Sequence, residues 1–523
     1  MNKNLLAFLV FGCFFSSVAF TQSSFLDSTF ANNGNALISL NINGNYCQLN
    51  HAALQSDGKI IAVGETAIVG VGSRAVAVRL LANGMPDITF GDNGEWVSAD
   101  AFFLFANEVL VQPDDKILIT GWGAGIGKVA RLNPDGTYDS SFGTNGTASF
   151  NIWGGGANIM IDMELQSDGK LLVSGYKAPE SAVVRLNTNG TLDNTFGTAG
   201  KVIVKPSLFG TGANYVYGLK IGLTSDQSVV VSGVYSHPTK PAPGFVIKYN
   251  VNGQIDPSFG ENGIAEFYRL EQQISDLFVL PNDEILVLCD LRDPVDNYPR
   301  VSLVKWLPNG KIDSSFANQG YGHLTVGQNG AYNHNGYLQP DGKVVVLGLW
   351  AFPTSPDSKP SMSRFNADGS MDLSFGINGL VTTAGLENTG FNNGLVQPDG
   401  KIVAVTSYGE NDAVYGNIRR YKPFMTLGAF EAASRISATF LYPNPVYDQT
   451  LNISYELQEA SNVKIDLFNV KGELVTTLLN APRKSGKNEE VINLPDLLVT
   501  GAYFLQIQSE RGRATVKFLQ AGQ

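Results

Sequence analysis

Short apolar runs separated by turn-forming residues recur along most of the chain. The third run of each unit is apolar at nearly every position, as in Val344–Leu347, which is typical of a strand buried on both faces. Asp-Gly between two apolar runs, as at Asp168-Gly169, indicates a tight hairpin because the second turn residue needs a positive φ. Each unit therefore predicts four antiparallel strands, which in the third unit span Thr147–Ile152, Ile159–Leu165, Leu171–Gly175 and Ala182–Leu186.

Two sequence blocks mark the repeat. One reads Asp-x-Ser/Thr-Phe with a glycine further on, and the other reads Gln-Ser/Pro-Asp-Gly-Lys with degenerate copies. We expect the first aspartate to accept hydrogen bonds from backbone N–H groups two residues on, and the phenylalanine to wedge between neighbouring units. The first block occurs seven times, at intervals of 52 to 63 residues, beginning at Asp27, Asp87, Asp139, Asp193, Asp256, Asp313 and Asp372.

Seven units whose sheets are covered on both faces predict a closed ring. A linear stack would need atypical capping repeats, whereas the first and seventh units here have ordinary sequences. The predicted fold class is therefore all-β, with a seven-bladed β-propeller over residues 25–422. The two blocks resemble the delta-sixty repeats, a β-propeller family of unknown function found in bacterial surface and secreted proteins. The resemblance covers about Phe25 to Lys422 and implies no assigned chemistry.

Alternating strand patterns restart after a predicted linker at 423–438, and they predict a small immunoglobulin-like β-sandwich over 439–523. Its motif residues are Tyr442, Pro443, Asn444, Pro445, Gly472, Gly501, Tyr503 and Lys517. In order and spacing they resemble the C-terminal sorting domain of type IX secretion in Bacteroidetes-type bacteria. The resemblance implies passage across the outer membrane with the type IX secretion machinery as a partner. The alternative is an adhesive immunoglobulin-like module, because this sandwich hosts many functions.

The N-terminus has the pattern of a signal peptide over residues 1–21. Lys3 precedes the apolar run Leu5–Phe15, which is too short to span a bilayer, and small residues follow. A retained anchor and a lipoprotein modified at Cys13 are the alternatives. We expect no transmembrane helix in the mature chain and an extracellular or outer-membrane surface location. Cys47 and Cys289 lie in different repeats, which favours two buried free thiols over a disulfide.

Composition and charge exclude some classes of function. Hydrophobic residues make up 43% of the chain and charged residues 16%, which fits a large folded core. The formal net charge of −11 argues against nucleic acid as a partner, since phosphate binding needs a basic surface.

The sequence contains no recognisable catalytic motif. Its four histidines lack metal-site spacing, and no G-x-S-x-G elbow is present. We therefore predict no catalytic residue, no metal site and no cofactor, with calcium at the Asp/Asn-rich turns as an open alternative to plain turn chemistry. A polysaccharide hydrolase also stays open, because paired carboxylates meet in space rather than in sequence.

The order of the strands within a blade determines the face of the propeller on which a binding surface would lie. In antiparallel blades the two repeated blocks emerge on one face, and the irregular loops emerge on the other. Aromatic residues that follow the third run could stack on sugar rings or pack against a protein, so we predict a binding module for glycan or protein. The alternatives are a structural surface-layer component, and rings that merely seal the blade ends. The predicted binding residues are Trp122, Tyr176, Tyr235, Trp350 and Tyr408.

Overall fold

The structure is a computed structural model of the whole chain, which divides into two compact units, Met1–Thr426 and Leu427–Gln523. The predicted signal peptide at 1–21, with Cys13, lies outside the described residues. The structure describes residues 25–38, 40, 46–100, 103–154, 158–240, 243–268, 270–292, 299–324, 331–350, 359–383, 390–410, 413–423, 436–442, 446, 449–457, 459–469, 474–495, 498–499, 501–509 and 512–520.

The described residues of the first unit form seven four-stranded antiparallel sheets. In chain order, the strands are β1 (Asn35–Ile38), β2 (Cys47–Leu54), β3 (Ile60–Ile68), β4 (Gly72–Leu80), β5 (Glu95–Val97), β6 (Phe105–Val111), β7 (Ile117–Gly123), β8 (Ile126–Leu132), β9 (Thr147–Phe150), β10 (Ile159–Leu165), β11 (Leu171–Lys177), β12 (Glu180–Leu186), β13 (Lys201–Val204), β14 (Val216–Leu223), β15 (Val229–Tyr235), β16 (Gly244–Tyr249), β17 (Ile264–Phe267), β18 (Leu270–Val279), β19 (Ile285–Arg292), β20 (Pro299–Trp306), β21 (Tyr321–His323), β22 (Ala331–Leu338), β23 (Val344–Trp350), β24 (Lys359–Phe365), β25 (Leu380–Thr382), β26 (Asn393–Val396), β27 (Ile402–Glu410) and β28 (Ala413–Tyr421). A short 3-10 helix, Pro206–Phe209, follows β13.

The sheets are the blades of a closed seven-bladed propeller. The first six contain β2–β5, β6–β9, β10–β13, β14–β17, β18–β21 and β22–β25, and the seventh contains β26, β27, β28 and β1. We name the four strands of each blade A to D, from the central channel of the propeller outwards. Each A strand contacts the A strands of its two neighbours, and β26 of the last blade contacts β2 of the first. Strand β1 completes the seventh blade by pairing with β28, so both ends of the unit close the ring.

One detail of the predicted units is wrong. The strand predicted to open the third unit, Thr147–Ile152, is the outermost strand of the second blade, where β9 pairs with β8. The Asp-x-Ser/Thr-Phe block therefore lies inside a blade, between strands C and D, and does not connect two blades. Four strands recur whichever strand is counted first, so the periodicity specifies the number of blades but not where each begins.

The repeated aspartate anchors an ion-pair clamp on strand C. In the second blade, Asp139 Oδ1 accepts the N–H of Ser141 at 3.0 Å, as predicted, and Oδ2 pairs with Arg131 Nε at 2.8 Å. Burial works against the charge of Asp139, but the bonds from Ser141 together with Lys116 and Arg131 hold its pKa below the ordinary value. Equivalent pairs are Arg79–Asp87, Arg185–Asp193, Lys248–Asp256, Lys305–Asp313, Arg364–Asp372 and Arg420–Asp27.

The repeated phenylalanine does wedge between blades. The Arg131 guanidinium lies 4.5 Å from the ring centre of Phe142, and a Cβ on Gly190 of the next blade would lie 3.0 Å from that ring. Gly190 has φ +82°, so this position favours glycine for two reasons. Gly143 N–H also donates to Asn189 O at 2.7 Å across the same junction. The first block therefore packs one blade against a turn of the next.

The second unit is a β-sandwich of two sheets. Its strands are β29 (Ile436–Tyr442), β30 (Thr450–Leu457), β31 (Ser461–Phe468), β32 (Leu474–Arg483), β33 (Gly486–Asn493), β34 (Gly501–Ser509) and β35 (Gly512–Gln520). One sheet has the order β29-β30-β33 and the other β32-β31-β34-β35. Alternate residues such as Ile453, Tyr455 and Ile465 form its own buried core. Strand β29 begins inside the segment predicted as a linker at 423–438.

Candidate functional site

The two faces of the propeller differ in construction. The A–B turns, such as 166–170, and the C–D connections, such as 187–200, form what we call the repeated-turn face. The B–C turns, such as 124–125, and the connections between blades, such as 205–215, form the variable-loop face. The clamps described above occupy the repeated-turn face. Irregular chain is found on the other face, which is where a unique ligand site can be built.

The five predicted binding aromatics lie at the ends of B strands rather than in loops. Trp122 and Tyr176 are the sixth residues of β7 and β11. Tyr235, Trp350 and Tyr408 are the seventh residues of β15, β23 and β27. Because side chains alternate along a strand, Tyr235 points to the opposite side of its blade from Trp122. The structure therefore does not bring the five together as one equivalent set.

Among the predicted aromatics whose side chains the structure describes, Trp122 is the best placed to contact a ligand at the surface. It is half-buried and stacks on Phe105 of strand A, with ring centres 4.7 Å apart and planes 22° apart. The adjoining turn is small, with exposed Ala124 followed by Gly125 at φ +76°. Tyr176 is also half-buried and pairs with Ile159. The side chains of Trp350 and Tyr408 lie outside the described residues.

The prediction of an exposed ring is wrong for Tyr235. Its side chain is 2% exposed and stacks on Phe209, with ring centres 4.2 Å apart. Its hydroxyl donates to Glu266 Oε1 at 2.7 Å and accepts from Lys240 Nζ at 2.7 Å. Phe209 comes from the short 3-10 helix in the connection between blades, which folds back over the ring. Tyr235 is therefore a packing residue of the fourth blade.

One position on strand A is polar in every described blade, and sequence reasoning missed it. Each of these residues pairs with the fourth residue of strand B, and six of the seven directly follow a β-bulge in the described registers. The bulge turns the strand locally and leaves backbone groups without ladder partners. We call the seven residues the channel ring: His51, Glu108, Asp162, Lys220, Asp276, Asn335 and Asn393.

Three ring residues each accept a hydrogen bond from the following blade. Asp162 Oδ2 accepts the N–H of Ile221 in the fourth blade at 2.7 Å. Asp276 Oδ2 accepts that of Gly336 in the sixth blade at 3.2 Å. Asn393 of the seventh blade likewise accepts the N–H of the residue after His51, at 3.2 Å. In each case the donor is the residue directly after the ring residue of the following blade.

Lys220 does not follow this pattern, and it is the one lysine or arginine of the channel ring. An ammonium group cannot accept a hydrogen bond, and Leu277 N–H of the fifth blade instead donates to its own neighbour Asp276 at 2.9 Å. Lys220 Nζ lies 3.1 Å from Asp162 Oδ1. Burial opposes the charge on Lys220, but attraction to Asp162 and Asp276 outweighs it and raises the lysine pKa. Lys220 is thus a single internal cation that attracts several carboxylates.

Three other side chains of the A strands, Glu164, Asp276 and His51, have pKa values shifted in the direction that favours the neutral form. Burial and the neighbouring Asp162 raise the pKa of Glu164 to about 8. Burial raises the pKa of Asp276 to about 6, against the opposing effect of Lys220. Burial lowers the pKa of His51 to about 3, so its imidazole is neutral near pH 7. Near pH 7, Glu164 therefore keeps its proton.

A simple sequence signal marks the ring. Each ring residue stands four positions before the first residue of the A–B turn, as Glu108 does before Gln112 and Asn393 before Gln397. A polar residue at a fixed offset inside an apolar strand pattern needs a partner.

The described residues contain no group of three or more His, Cys, Asp or Glu side chains placed to hold a metal ion. The clamp aspartates use their oxygens for the ion pairs and turn bonds given above. Cys47 and Cys289 are buried and unpaired, in the first and fifth blades. Within the described part of the chain, no helix is long and apolar enough to cross a membrane.

The described sorting motif residues have structural places in the second unit. Tyr503 is 6% exposed, and its hydroxyl donates to Val499 O at 3.1 Å, while Gly501 begins β34. Tyr442 ends β29 and Lys517 lies in β35, but their side chains are outside the described residues. Pro443, Asn444, Pro445 and Gly472 lie wholly outside them.

Comparison with known families agrees with both units. Residues 440–520 match the family described as a secretion system C-terminal sorting domain. Residues 55–90, 112–142, 166–196 and 339–375 match the family described as a domain of unknown function (DUF5122) beta-propeller. No curated protein matches the sequence. The molecule is thus a β-propeller carrying a secretion signal at its C-terminus. More specifically, it is a propeller protein with a type IX sorting domain, which indicates export to the cell surface or beyond.

Several solved structures show distant similarity to this chain. PorZ of Porphyromonas gingivalis, a surface component of the type IX secretion system, is 10% identical over 90% of this chain and 81% of its own, with a TM-score of 0.24. An ulvan lyase of polysaccharide lyase family PL25 is 10% identical over 74% and 95%, with a TM-score of 0.40. A protein from Lactobacillus plantarum is 13% identical over 64% and 86%, with a TM-score of 0.39.

Proposed function

We propose that this protein is an extracellular or cell-surface binding module for glycan, whose ligand contacts the variable-loop face of the propeller. The observation that carries the proposal is the Trp122–Phe105 stack beside a small turn on that face. A half-buried indole supported from behind offers a rigid apolar plane at low entropic cost, and such planes stack on sugar rings. The repeated-turn face supports ligand binding less well, because its charged side chains are engaged in clamps.

The proposal is tested on a glycan and polysaccharide array with the full mature chain and two variants. We expect Trp122→Ala to weaken binding about fivefold or more, since truncation of a central aromatic contact costs over ~1 kcal/mol. The matched control is Tyr138→Ala, in the same blade. Tyr138 is also half-buried and contacts Trp96 with ring centres 5.6 Å apart, but it lies in a C–D connection on the repeated-turn face.

Equal losses in both variants would point to general destabilisation, and unchanged binding in Trp122→Ala would refute the site. Thermal melting of the two variants provides the stability reference. Because both rings are partly buried, we expect the two melting temperatures to fall by similar amounts.

A second candidate function rests on the channel carboxylates. Burial and the neighbouring Asp162 raise the pKa of Glu164 to about 8, and a carboxyl group that keeps its proton near pH 7 is what a glycosidase uses as its general acid. Asp162, however, already bonds Ile221 N–H and Lys220. New reducing ends released from a bound polysaccharide, and lost in Glu164→Gln, would favour the hydrolase over the binding module.

A further inference from the structure

Three kinds of contact tie neighbouring blades together on the repeated-turn face. The first kind joins the A–B turns. Ser225 N–H of the fourth blade donates to Asp283 Oδ1 of the fifth at 2.7 Å, and the serine hydroxyl donates to Oδ2 at 2.7 Å. The accepting residue, Asp283, has a positive φ of +63°. The same link joins two further pairs of blades, through Ser56 with Asp115 and through Ser167 with Gln227.

The other four junctions between blades cannot form this link. Their equivalent residues are a proline, which has no N–H to donate, and a glycine, which has no side chain to accept a hydrogen bond. These pairs are Pro113 with Gly169, Pro281 with Gly342, Pro340 with Gly400, and Pro398 with Gly58. Serine thus stands opposite a side-chain acceptor each time, and proline stands opposite glycine. On this face, these four junctions depend on the other two kinds of contact.

The second and third kinds of contact involve the C–D connections. The residue after a repeated phenylalanine donates its N–H to a carbonyl of the C–D turn of the next blade. The phenylalanine itself packs against a glycine of that turn, as Phe142 does against Gly190. In the third kind, an arginine of strand C donates to the same turn, as Arg131 Nη1 does to Thr188 O at 2.6 Å. The N–H donors of the second kind, at 2.6 to 2.9 Å, are Ala31, Gly91, Gly143, Gly197, Gly260 and Ala317.

None of these three contacts joins the described residues of the sixth blade to those of the seventh. The seventh blade has no C–D turn, because its strand C, β28, is the last strand of the propeller and its strand D, β1, is the first. Gly376, which follows the sixth phenylalanine of the chain-ordered blades, therefore has no such turn to bond. Arg364 Nη1 instead contacts Gln339 Oε1 of its own blade at 3.4 Å. The hydrogen bonds described across this junction are long: Tyr337 to Asn393 at 3.4 Å, Tyr421 to Thr383 at 3.4 Å, and Phe391 N–H to Gly348 O at 3.5 Å.

Phe25 and Leu26 take the place of the turn that the seventh blade lacks. Phe375 is 0% exposed and belongs to the apolar core between the sixth and seventh blades, against which Phe25 and Leu26 pack. Leu26 pairs with the last residue of β28 in an antiparallel bridge, and Lys422 N–H donates to Phe25 O at 2.9 Å. Both side chains of the pair are half-buried. The junction is therefore closed by two residues that precede the first strand, and not by a turn within a blade.

We propose that the propeller ring opens at the junction between the sixth and seventh blades, and that Phe25 and Leu26 hold this junction closed. Each blade keeps its own four strands in this movement, so it is a sub-global opening with a lower free energy than complete unfolding. The opening exposes the apolar core between the two blades and gives sideways access to the central channel. This inference concerns a movement of the propeller and is independent of the proposed glycan binding.

Thiol labelling of the full mature chain in sub-denaturing urea tests this opening. Ala404→Cys places a thiol in the core between the sixth and seventh blades, and Ala62→Cys is the matched control between the seventh and first. Both alanines are 0% exposed, and each is the third residue of its strand B. We expect the thiol at position 404 to react about tenfold faster or more, because the opening breaks fewer hydrogen bonds there. Peptide mass spectrometry separates these thiols from the buried Cys47 and Cys289.

Two further changes act on the junction itself. Pro340→Ser combined with Gly400→Asp copies the link of Ser225 with Asp283, and it should slow labelling at position 404 about fivefold relative to either single change. Leu26→Ala should speed labelling at 404 and leave position 62 unchanged. A Leu26→Ala chain that labels faster at both positions is globally destabilised, and the added link then decides.

Equal labelling rates at positions 404 and 62 would overturn the proposed opening. A rate at 404 that does not respond to the added link would overturn it as well. A rate at 404 that is unchanged by Leu26→Ala would overturn the role given to Phe25 and Leu26.

Discussion

Lys220→Met is expected to lower the free energy of unfolding by about 3–5 kcal/mol, since removing one member of a buried ion pair leaves its partners uncompensated. Lys220 faces Asp162 at 3.1 Å and also attracts Asp276 in the channel. Urea denaturation of the full mature chain near pH 7 measures the loss. The matched control is Lys59→Met. Lys59 Nζ lies 3.7 Å from Asp87 Oδ2, and Asp87 keeps its second partner Arg79 at 2.9 Å when this lysine is removed. We expect that control to cost about 0–1 kcal/mol.

The deficit of Lys220→Met should depend on pH. Without the lysine, the channel carboxylates have pKa values raised above those of the unfolded chain, so the folded state binds more protons. Their stability contribution is then present at low pH and lost as pH rises through the raised values. Asp276 already has a raised pKa of about 6 with the lysine in place. The gap between variant and parent should therefore narrow as pH falls from about 7 towards about 5. A pH-independent loss no larger than that of Lys59→Met would contradict the role given to Lys220.

Deletion of Phe440–Gln523 is expected to abolish surface export while leaving the propeller folded. The segment includes most of a compact unit with its own buried core, and no strand of the propeller's described sheets lies within it. The truncated protein should accumulate in the periplasm. Cell fractionation and protease treatment of whole cells measure the location, and circular dichroism of the purified protein measures the fold. Fusion of residues 427–523 to an unrelated folded protein is the control and should export it. Truncated protein at the cell surface or in the medium would refute the assignment.

The architecture could be predicted because its signals are local. Asp139 with Phe142, and the six equivalent blocks, mark one turn per blade at a nearly constant interval. The blade boundary could not be predicted, because pairing of β9 with β8 is a contact that periodicity leaves open. The closing of the ring by β1 depends on a pairing between chain ends more than 370 residues apart, for which no local signal exists.

The candidate site was predicted less well, for physical reasons. Tyr235 and Trp122 look alike in sequence, but Phe209 from a distant connection covers the first. The channel ring could not be recognised from its spacing alone, because Asp162 and Lys220 belong to different repeats and meet only when the third and fourth blades pack together. The residues that form these contacts differ from one repeat to the next. The features that all repeats share therefore cannot predict them.

The most direct test of the account is hydrogen–deuterium exchange of the full mature chain with and without a glycan found on the array. Bound ligand slows exchange where it orders or covers the backbone. We predict protection at the variable-loop face, in segments such as 122–128 and 205–215, and unchanged exchange in the A–B turn at 166–170 and the C–D connection at 187–200. Protection confined to the repeated turns, with the variable loops unchanged, would contradict the claim that this face of the propeller is the binding surface.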